Sequence, residues 1–377
     1  MELSDKSQLG QFFTTNYKEI IFEDFEIFCE KFDKNKIIID PFAGACDLVS
    51  DKFFENCLLE LYDIDKNLIR ENEKNIEGKK SMKFKISLRN TLLNPPSYAG
   101  KFILTNPPYL GKNKCKTEDG KKIFELYKYE DLASDDLYKC FLISIIEQRR
   151  KGENTEFYFC GLIIIPINFW CSIRKNDINL RKEFLKLFEV ILLKIFEYPV
   201  FNDTDTAICS FYFKQKEREK ENAKSKIKCL IVNKLSKNSS NLLFSEKNNY
   251  CIFGKIHLIK IPTDIIISRA TSQNKDKLNT KLQIKCIDDK ELINMEIVDN
   301  PYIDETKNLT ARSYISLIII PEITIEKQKI LCAKFNRFLT KYRKKYNSLF
   351  LTNYRENARK RISFELIYKI VYYILKS

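Results

Sequence analysis

The run Phe102-Ile103-Leu104-Thr105-Asn106-Pro107-Pro108-Tyr109 ends an apolar, β-prone stretch in an amide, a rigid diproline and a phenol. Prolines fix φ and carry no N–H, so carbonyls at such a place can point at a ligand instead of joining a ladder. Asn106 can offer its side-chain oxygen, and Pro107 its main-chain carbonyl, to one –NH2 group. Tyr109 can stack on the ring that carries that group. The chemistry implied is reception of a planar, amino-bearing π-system. Asn94-Pro95-Pro96-Ser97 is an internal control: it has the same Asn-Pro-Pro, but no apolar strand before it and no aromatic after it. That copy predicts a plain turn.

A second constellation begins at Ile37-Ile38-Ile39-Asp40-Pro41-Phe42-Ala43-Gly44-Ala45-Cys46. A buried strand ends in an acid, and a small-residue loop follows. No Gly-Lys-Ser/Thr comes after it, so it is not a phosphate cradle. An acid at the strand end suits an amine-bearing ligand. About twenty residues on, Leu61-Tyr62-Asp63-Ile64-Asp65 places another acid at the end of a strand, where it could accept hydrogen bonds from ribose hydroxyls. A helix cap is the alternative for either aspartate taken singly. The opening Leu9-Gly10-Gln11-Phe12-Phe13-Thr14-Thr15 could lie over a cofactor or merely cap a helix.

These residues need elements to position them. Candidate strands are 36–40, 58–63, 84–87, 102–105, 157–165, 190–196 and 207–213, with helix-like stretches at 66–76, 137–149 and 176–188. Strands alternating with amphipathic segments predict an α/β fold with a mostly parallel sheet, whose ligands sit at the carboxyl ends of the strands. The charged run Lys214–Lys228 reads as a boundary, giving domains 1–214 and 215–377. Gly111–Asp136, with Lys112, Lys114 and Lys116, reads either as a loop closing over the site or as a plain surface loop.

Composition narrows the partners. The chain of 377 residues carries +14, and ten Lys/Arg against the single acid Glu356 fall between Leu331 and Arg361. Such a block predicts a polyanion, with a solvated helix face as the alternative. One histidine, His257, argues against His-based triads and multi-His metal sites, and the twelve cysteines contain no C-x-x-C pair. No apolar run approaches the ~18 residues of a membrane span, and the first residues lack a signal-peptide pattern. A cytoplasmic location, not secretion, is the expectation.

In order, Gly10-Gln11-Phe12-Phe13-Thr14, Asp40-Pro41-Phe42-Ala43-Gly44, Asp63-Ile64-Asp65 and Asn106-Pro107-Pro108-Tyr109 resemble the adenine-specific N6 DNA methyltransferases of the gamma arrangement. The resemblance covers about residues 8–213. It implies a Rossmann-like sheet of seven strands, an S-adenosylmethionine site and a C-terminal mixed or helical target-recognition domain. Thr14 would then flank the methionine part of the cofactor, Asp40 and Gly44 its amino-acid end, and Asp63 its ribose. Asn90 stands where relatives carry an Asp at the cofactor's adenine, Phe141 matches a position packing on that adenine, and Cys46 stands where a second glycine is common. Asn106, Pro107, Pro108 and Tyr109 would hold the flipped target adenine, and Phe201 resembles the ring that stacks on it, with a core position as the alternative. Arg337, Lys341, Arg343, Lys344, Lys345, Arg355, Arg359, Lys360 and Arg361 would grip double-stranded DNA. The partner in function, not in contact, would be a cognate restriction endonuclease. A monomer acting on a short palindrome, TCGA-like by analogy, is expected. Asn-Pro-Pro-Tyr is shared with RNA and protein-glutamine methyltransferases, and a non-catalytic DNA-binding subunit is a further alternative.

Overall fold

The computed structural model describes residues 20, 37–49, 54, 57–77, 83–152, 158–198, 200–201, 207–216, 225–232, 237–252, 254–288, 291–346, 353–355 and 359–377. The Gly10–Thr15 motif, including Thr14, lies outside the described residues. The chain divides into two compact units, Met1–Phe169 with Arg174–Leu243, and Trp170–Ile173 with Phe244–Ser377.

The first unit is built on β1 (Ile37–Asp40), β2 (Leu58–Asp63), β3 (Lys83–Leu88), β4 (Phe102–Thr105), β5 (Cys160–Pro166), β6 (Phe188–Phe196), β7 (Ile208–Gln215), β8 (Ser225–Val232) and β9 (Lys237–Phe244). They form one sheet in the order β3-β2-β1-β4-β5-β7-β6-β8-β9. Neighbours from β3 to β5 are parallel, and β7 runs antiparallel between β5 and β6. The central strands β4 and β5 are buried along their whole length, as a parallel sheet covered on both faces requires. A Cβ placed on Gly161 of β5 would fall 2.2 Å from the Ile103 carbonyl oxygen of β4, so this pair has no room for a side chain there. The helices are α1 (Lys66–Glu77), α2 (Glu118–Leu126), α3 (Leu137–Lys151) and α4 (Lys175–Leu187).

All seven expected strands form, but among the described residues the sheet has nine. The expected division at 214 falls inside this sheet, because β8 pairs parallel with β6 from Leu192↔Lys228 to Phe196↔Val232. Two of the charges that made this stretch look like a linker, Lys226 and Lys228, lie on the solvent side of β8. They alternate with Ser225, Ile227 and Cys229, which are buried. Alternation of period two was present under a high charge density.

The second unit holds an antiparallel sheet of β10 (Ile266–Arg269), β11 (Leu282–Lys285), β13 (Asn294–Ile297) and β14 (Tyr314–Ile320), ordered β10-β14-β11-β13. A small sheet of β12 (Ile287–Asp288), β15 (Asn353–Arg355) and β16 (Arg359–Arg361) has β16 in the middle. Its two long helices among the described residues are α5 (Ile325–Tyr346) and α6 (Phe364–Lys376). Leu331, Phe335 and Leu339, spaced by one helical turn on α5, join Ile367, Ile370 and Ile374 of α6 and the buried faces of β11 and β14 in one core. Among the described residues no helix is long and apolar enough to cross a membrane, and no cluster of His, Cys, Asp or Glu could hold a metal. The described cysteines are free thiols, mostly buried.

Candidate active site at the carboxyl edge of the sheet

The chain order reverses beside β1: β2 and β3 lie on one side of it, β4 and β5 on the other. At such a switch point the loops leaving adjacent strands diverge and leave a crevice at their carboxyl ends. Asp40 ends β1, and Asn106 follows β4. The Thr105 hydroxyl donates to Asp40 Oδ1 at 2.7 Å, and the Phe42 amide donates to the same oxygen at 3.0 Å. Asp40 is 0% exposed, and its Oδ2 has no hydrogen-bond partner. Burial pushes its carboxyl up to about 7, against the smaller opposing effect of the Thr105 and Phe42 hydrogen bonds.

The two expected acids of the next strand divide their work. Asp65 Oδ1 accepts from the Asn67 amide at 2.8 Å and so caps the start of α1. Asp63 instead faces the β1 loop: its Oδ2 accepts from the Gly44 amide at 2.8 Å, and its Oδ1 from the Asp65 amide at 2.8 Å. Burial raises its pKa. The loop itself turns through left-handed conformations, with φ of 50° at Gly44 and 61° at Cys46. A glycine would adopt the second without penalty, whereas Cys46 pays roughly 1–2 kcal/mol. The position where the family resemblance puts a second glycine is therefore one whose backbone favours glycine.

Thr91 ties the loop after β3 to the β1 loop by donating to the Pro41 carbonyl at 2.9 Å. Asn90 is half-buried beside it, and its Oδ1 accepts from the Leu93 amide at 3.3 Å. Phe141 on α3 is 0% exposed, sealed by the Phe42 ring, which meets it edge-on at 5.1 Å, and by Tyr98. The half-buried Phe42 is thus the aromatic surface at this loop, with Phe141 behind it. Sequence reasoning did not single out Phe42, although it lies between Pro41 and Ala43 of the quoted motif.

On the β4 side, Asn106 is 9% exposed and Pro107 is buried. The Tyr109 hydroxyl is turned inward, against Asn106 Oδ1, and donates to the Ile164 carbonyl of β5 at 2.9 Å. Its half-buried ring meets Tyr138 of α3 edge-on at 6.2 Å. Burial raises the Tyr109 phenol well above its ordinary value. Phe201 is 3% exposed and belongs to the same apolar cluster against which Tyr109 packs. At the control copy the chain turns earlier, at 91–93, and 94–97 follow without regular structure, held by Arg89, whose Nε donates to the Asn94 carbonyl at 2.7 Å and Nη2 to Asn94 Oδ1 at 3.1 Å.

The Gly111–Asp136 segment is folded, not a plain surface loop. It contains α2, capped by Thr117 Oγ1 accepting from the Gly120 amide at 3.2 Å. Its ends are drawn together by the Lys112 amide on the Asp135 carbonyl, 2.9 Å, and the Leu137 amide on the Leu110 carbonyl, 3.2 Å. Lys139 binds Asp135 at 2.7 Å and Asp177 at 2.6 Å, and Arg174 closes the group by reaching both acids. The exposed Lys112, Lys114 and Lys116 lie on its outer turn.

In the second unit, Arg337, Lys341, Lys344 and Lys345 are exposed on α5, and Lys360 and Arg361 are half-buried on β16. The side chains of Arg355 and Arg359 lie outside the described residues. Arg343 departs from the expectation of a phosphate contact. Its guanidinium makes two parallel bonds to Asp288, at 2.8 and 2.7 Å, and Asp288 pairs in β12 with Lys360 of β16. One charge of the basic block thus joins α5 to the small sheet. We expect Arg343→Ala to lower the stability of this unit by roughly 2–3 kcal/mol, less than a fully buried pair would cost because the site is part-exposed. Urea unfolding monitored by circular dichroism measures this.

No protein-family model and no curated protein matches the sequence. Among solved structures, the Type IIL restriction-modification enzyme MmeI, in complex with DNA, is 13% identical with a TM-score of 0.44, covering 75% of this chain and 47% of that one. The M protein of the type I restriction enzyme EcoKI is 14% identical, TM-score 0.42, over 71% of this chain and 60% of that one. A methyltransferase subunit of a type I restriction-modification system from Streptococcus thermophilus is 12% identical, TM-score 0.38, over 55% and 44%. The chain spans about half the length of MmeI and of the Streptococcus thermophilus subunit. At this distance the functional reading rests on the residues of the chain itself.

Proposed function

We propose that the chain is an S-adenosylmethionine-dependent DNA methyltransferase acting on the N6 amino group of adenine in a short duplex site, as the modification half of a restriction system. The observation that carries this reading is the juxtaposition at the switch point: the Asn106–Tyr109 clamp leaves β4 directly beside the Asp40 loop of β1, with Thr105 bonded to Asp40.

The residues present fit the cofactor. The buried, unpartnered Asp40 Oδ2 is an acceptor awaiting a donor, and the α-amino group of the cofactor is one. The Asp63 carboxylate, at the end of the next strand, has more acceptor sites than its two backbone bonds use and suits ribose hydroxyls. Asn90 can accept from the adenine amino group, and Phe42, backed by Phe141, offers it an apolar wall. Gly44 lets the backbone approach closely. When bound, S-adenosylmethionine supplies a methyl group already activated on a sulfonium.

The protein's task is then alignment. A target adenine leaves the duplex at a cost of a few kcal/mol. Stacking on Tyr109, with Phe201 behind it in the same cluster, offsets about 1–3 kcal/mol by analogy with single-strand stacking. The amino group takes over the Asn106 oxygen from the Tyr109 hydroxyl, which keeps the Ile164 carbonyl as its acceptor, and donates its second hydrogen to the Pro107 carbonyl. Pro108 keeps that backbone rigid. Accepting both hydrogens draws the nitrogen lone pair out of the ring's π-system and toward the methyl donor. No histidine is required, because the nucleophile needs no deprotonation before attack, and the extra proton on the methylated nitrogen would pass to solvent during or after transfer.

The first unit carries this chemistry and the second, basic unit reads and grips the duplex. The protein works as a monomer wherever the DNA resides. Phosphate contacts position a protein and base contacts specify its site. Neutralising Lys344 and Lys345 together should therefore lower the slope of log K against log[salt] by about 2, with the preferred sequence unchanged. An unaltered slope removes both from the interface. A tritium-transfer assay offering duplex DNA, RNA and a glutamine-bearing release-factor-like protein tests the whole reading. Label in DNA, located on N6 by base-resolved sequencing, is the expected result; label only in RNA or protein would replace it.

A further inference from the structure

The segment between the clamp and α3 carries an acid that the methyl-transfer reading leaves without a task. Asp119 lies in the first turn of α2, and its Oδ2 accepts from Asn90 Nδ2 at 3.5 Å, across twenty-nine positions of chain. Its Oδ1 faces Lys122 of the same helix, at 3.9 Å. At the other end of α2 the buried Tyr127 donates its hydroxyl to the Leu92 carbonyl at 3.0 Å, so both ends of the helix rest on the loop after β3. That loop is bound in turn to the β1 loop, through Thr91 on the Pro41 carbonyl. Packing therefore sets where Asp119 stands. Its neighbour Gly120 is buried with no room for a side chain, since a Cβ there would fall 2.0 Å from Cys115 Sγ.

The contacts of Asn90 fix how its amide is turned. Oδ1 takes the Leu93 amide at 3.3 Å, and Nδ2 points at Asp119. An amide oxygen has two lone pairs, so Oδ1 keeps an acceptor site after Leu93 is served. An amide that donates to a carboxylate is polarised by it, and its oxygen becomes the stronger acceptor. A neutral side chain can in this way present part of the charge of an acid standing behind it. Asp119 is exposed, so solvent screens the effect and keeps it small.

We propose that Asp119 is a positioning residue of the cofactor site: acting through the Asn90 amide, it makes Asn90 Oδ1 an acceptor that selects a 6-amino purine over a 6-oxo one. The inference rests on the reading of Asp40, Asp63 and Asn90 as the S-adenosylmethionine site. A 6-amino group donates to Oδ1. A 6-oxo group brings a second acceptor there and leaves both oxygens unpaired.

Calorimetry with S-adenosylhomocysteine and its 6-oxo counterpart, S-inosylhomocysteine, tests this without turnover. Wild type should prefer the 6-amino ligand by about 100-fold or more, as a site built to pair an N–H does. Asp119→Ala, a change at an exposed position that the fold tolerates, should weaken the 6-amino ligand about 5- to 10-fold, the scale of one hydrogen bond, without weakening the 6-oxo one. Equal losses for both ligands would mean that Asp119 only shapes the wall, and no loss that it does not act; either overturns the proposal. A second variant checks the route through Asn90. Asn90→Asp puts a carboxylate on the purine directly, so it should raise 6-amino affinity in the Asp119→Ala background. In wild type it should lower that affinity, because two carboxylates then meet at the contact. The same effect in both backgrounds would show the two side chains to be uncoupled and overturns the proposal equally. Wild type that binds neither ligand would instead remove the cofactor reading, and this inference with it.

Discussion

Asn106→Ala should reduce kcat for methyl transfer by at least about 100-fold while duplex affinity stays within a few-fold of wild type. The scale is that of removing one preorganised hydrogen-bonding group aimed at a developing charge. The fold should survive, because the Tyr109 hydroxyl that loses the Asn106 oxygen still donates to the Ile164 carbonyl. Asn106 lies at the end of β4, whose own residues supply the core packing. A filter-binding assay beside a single-turnover transfer assay separates the two effects. Near-normal turnover would show that the amino group is held elsewhere.

Asp40→Asn should make the protein more stable and less able to bind the cofactor. The sign follows from the shift. In the folded state Asp40 titrates near 7, above its ordinary 3.8, because burial penalises its charge. Between those values the native state holds a proton that the unfolded chain releases. Stability is therefore highest below about pH 4, falls as pH rises toward 7, and stays reduced above it. The gap corresponds to at most about 4 kcal/mol. Asparagine keeps an oxygen for Thr105 and Phe42 but never ionises, so its gain, about 1–3 kcal/mol, should appear at pH 8 and shrink at pH 5.5. Urea unfolding at the two pH values measures it. Calorimetry should show S-adenosylmethionine affinity reduced by about tenfold or more, the loss of one charge-assisted hydrogen bond. Unchanged affinity would mean that Oδ2 does not receive the amino group.

Local order was largely legible in the sequence. Runs such as Ile37–Asp40 and Phe102–Thr105 announce strands because buried parallel strands are continuously apolar, and the structure places both ladders as read. What stayed hidden came from pairings across long separations. The charged approach to β8 disguised a strand whose inward residues pair with β6. Nothing adjacent to Arg343 announces Asp288, fifty-five positions away, so an ion-paired guanidinium and a free one look alike in a basic run. Phe141 reads by resemblance as a ring packing on the cofactor's adenine, and the structure seals it behind Phe42, because rotation of a helix about its axis is fixed by packing, not by spacing alone.

The chain's own letters thus determined which groups stand at the ends of which strands, since an apolar run can only stop where its polar residues begin. The tertiary structure decided which of those ends are neighbours. Hydrogen bonding between β1 and β4, elements separated by β2 and β3 in the chain, brings Thr105 onto Asp40 and so sets the clamp beside the acid. It also closed a folded excursion with Asp136 against Gly111, and set Asp119 of that excursion on Asn90 by a contact that no local pattern encodes. Backbone pairing and burial act between segments, and their energy depends on partners that one-dimensional spacing does not name.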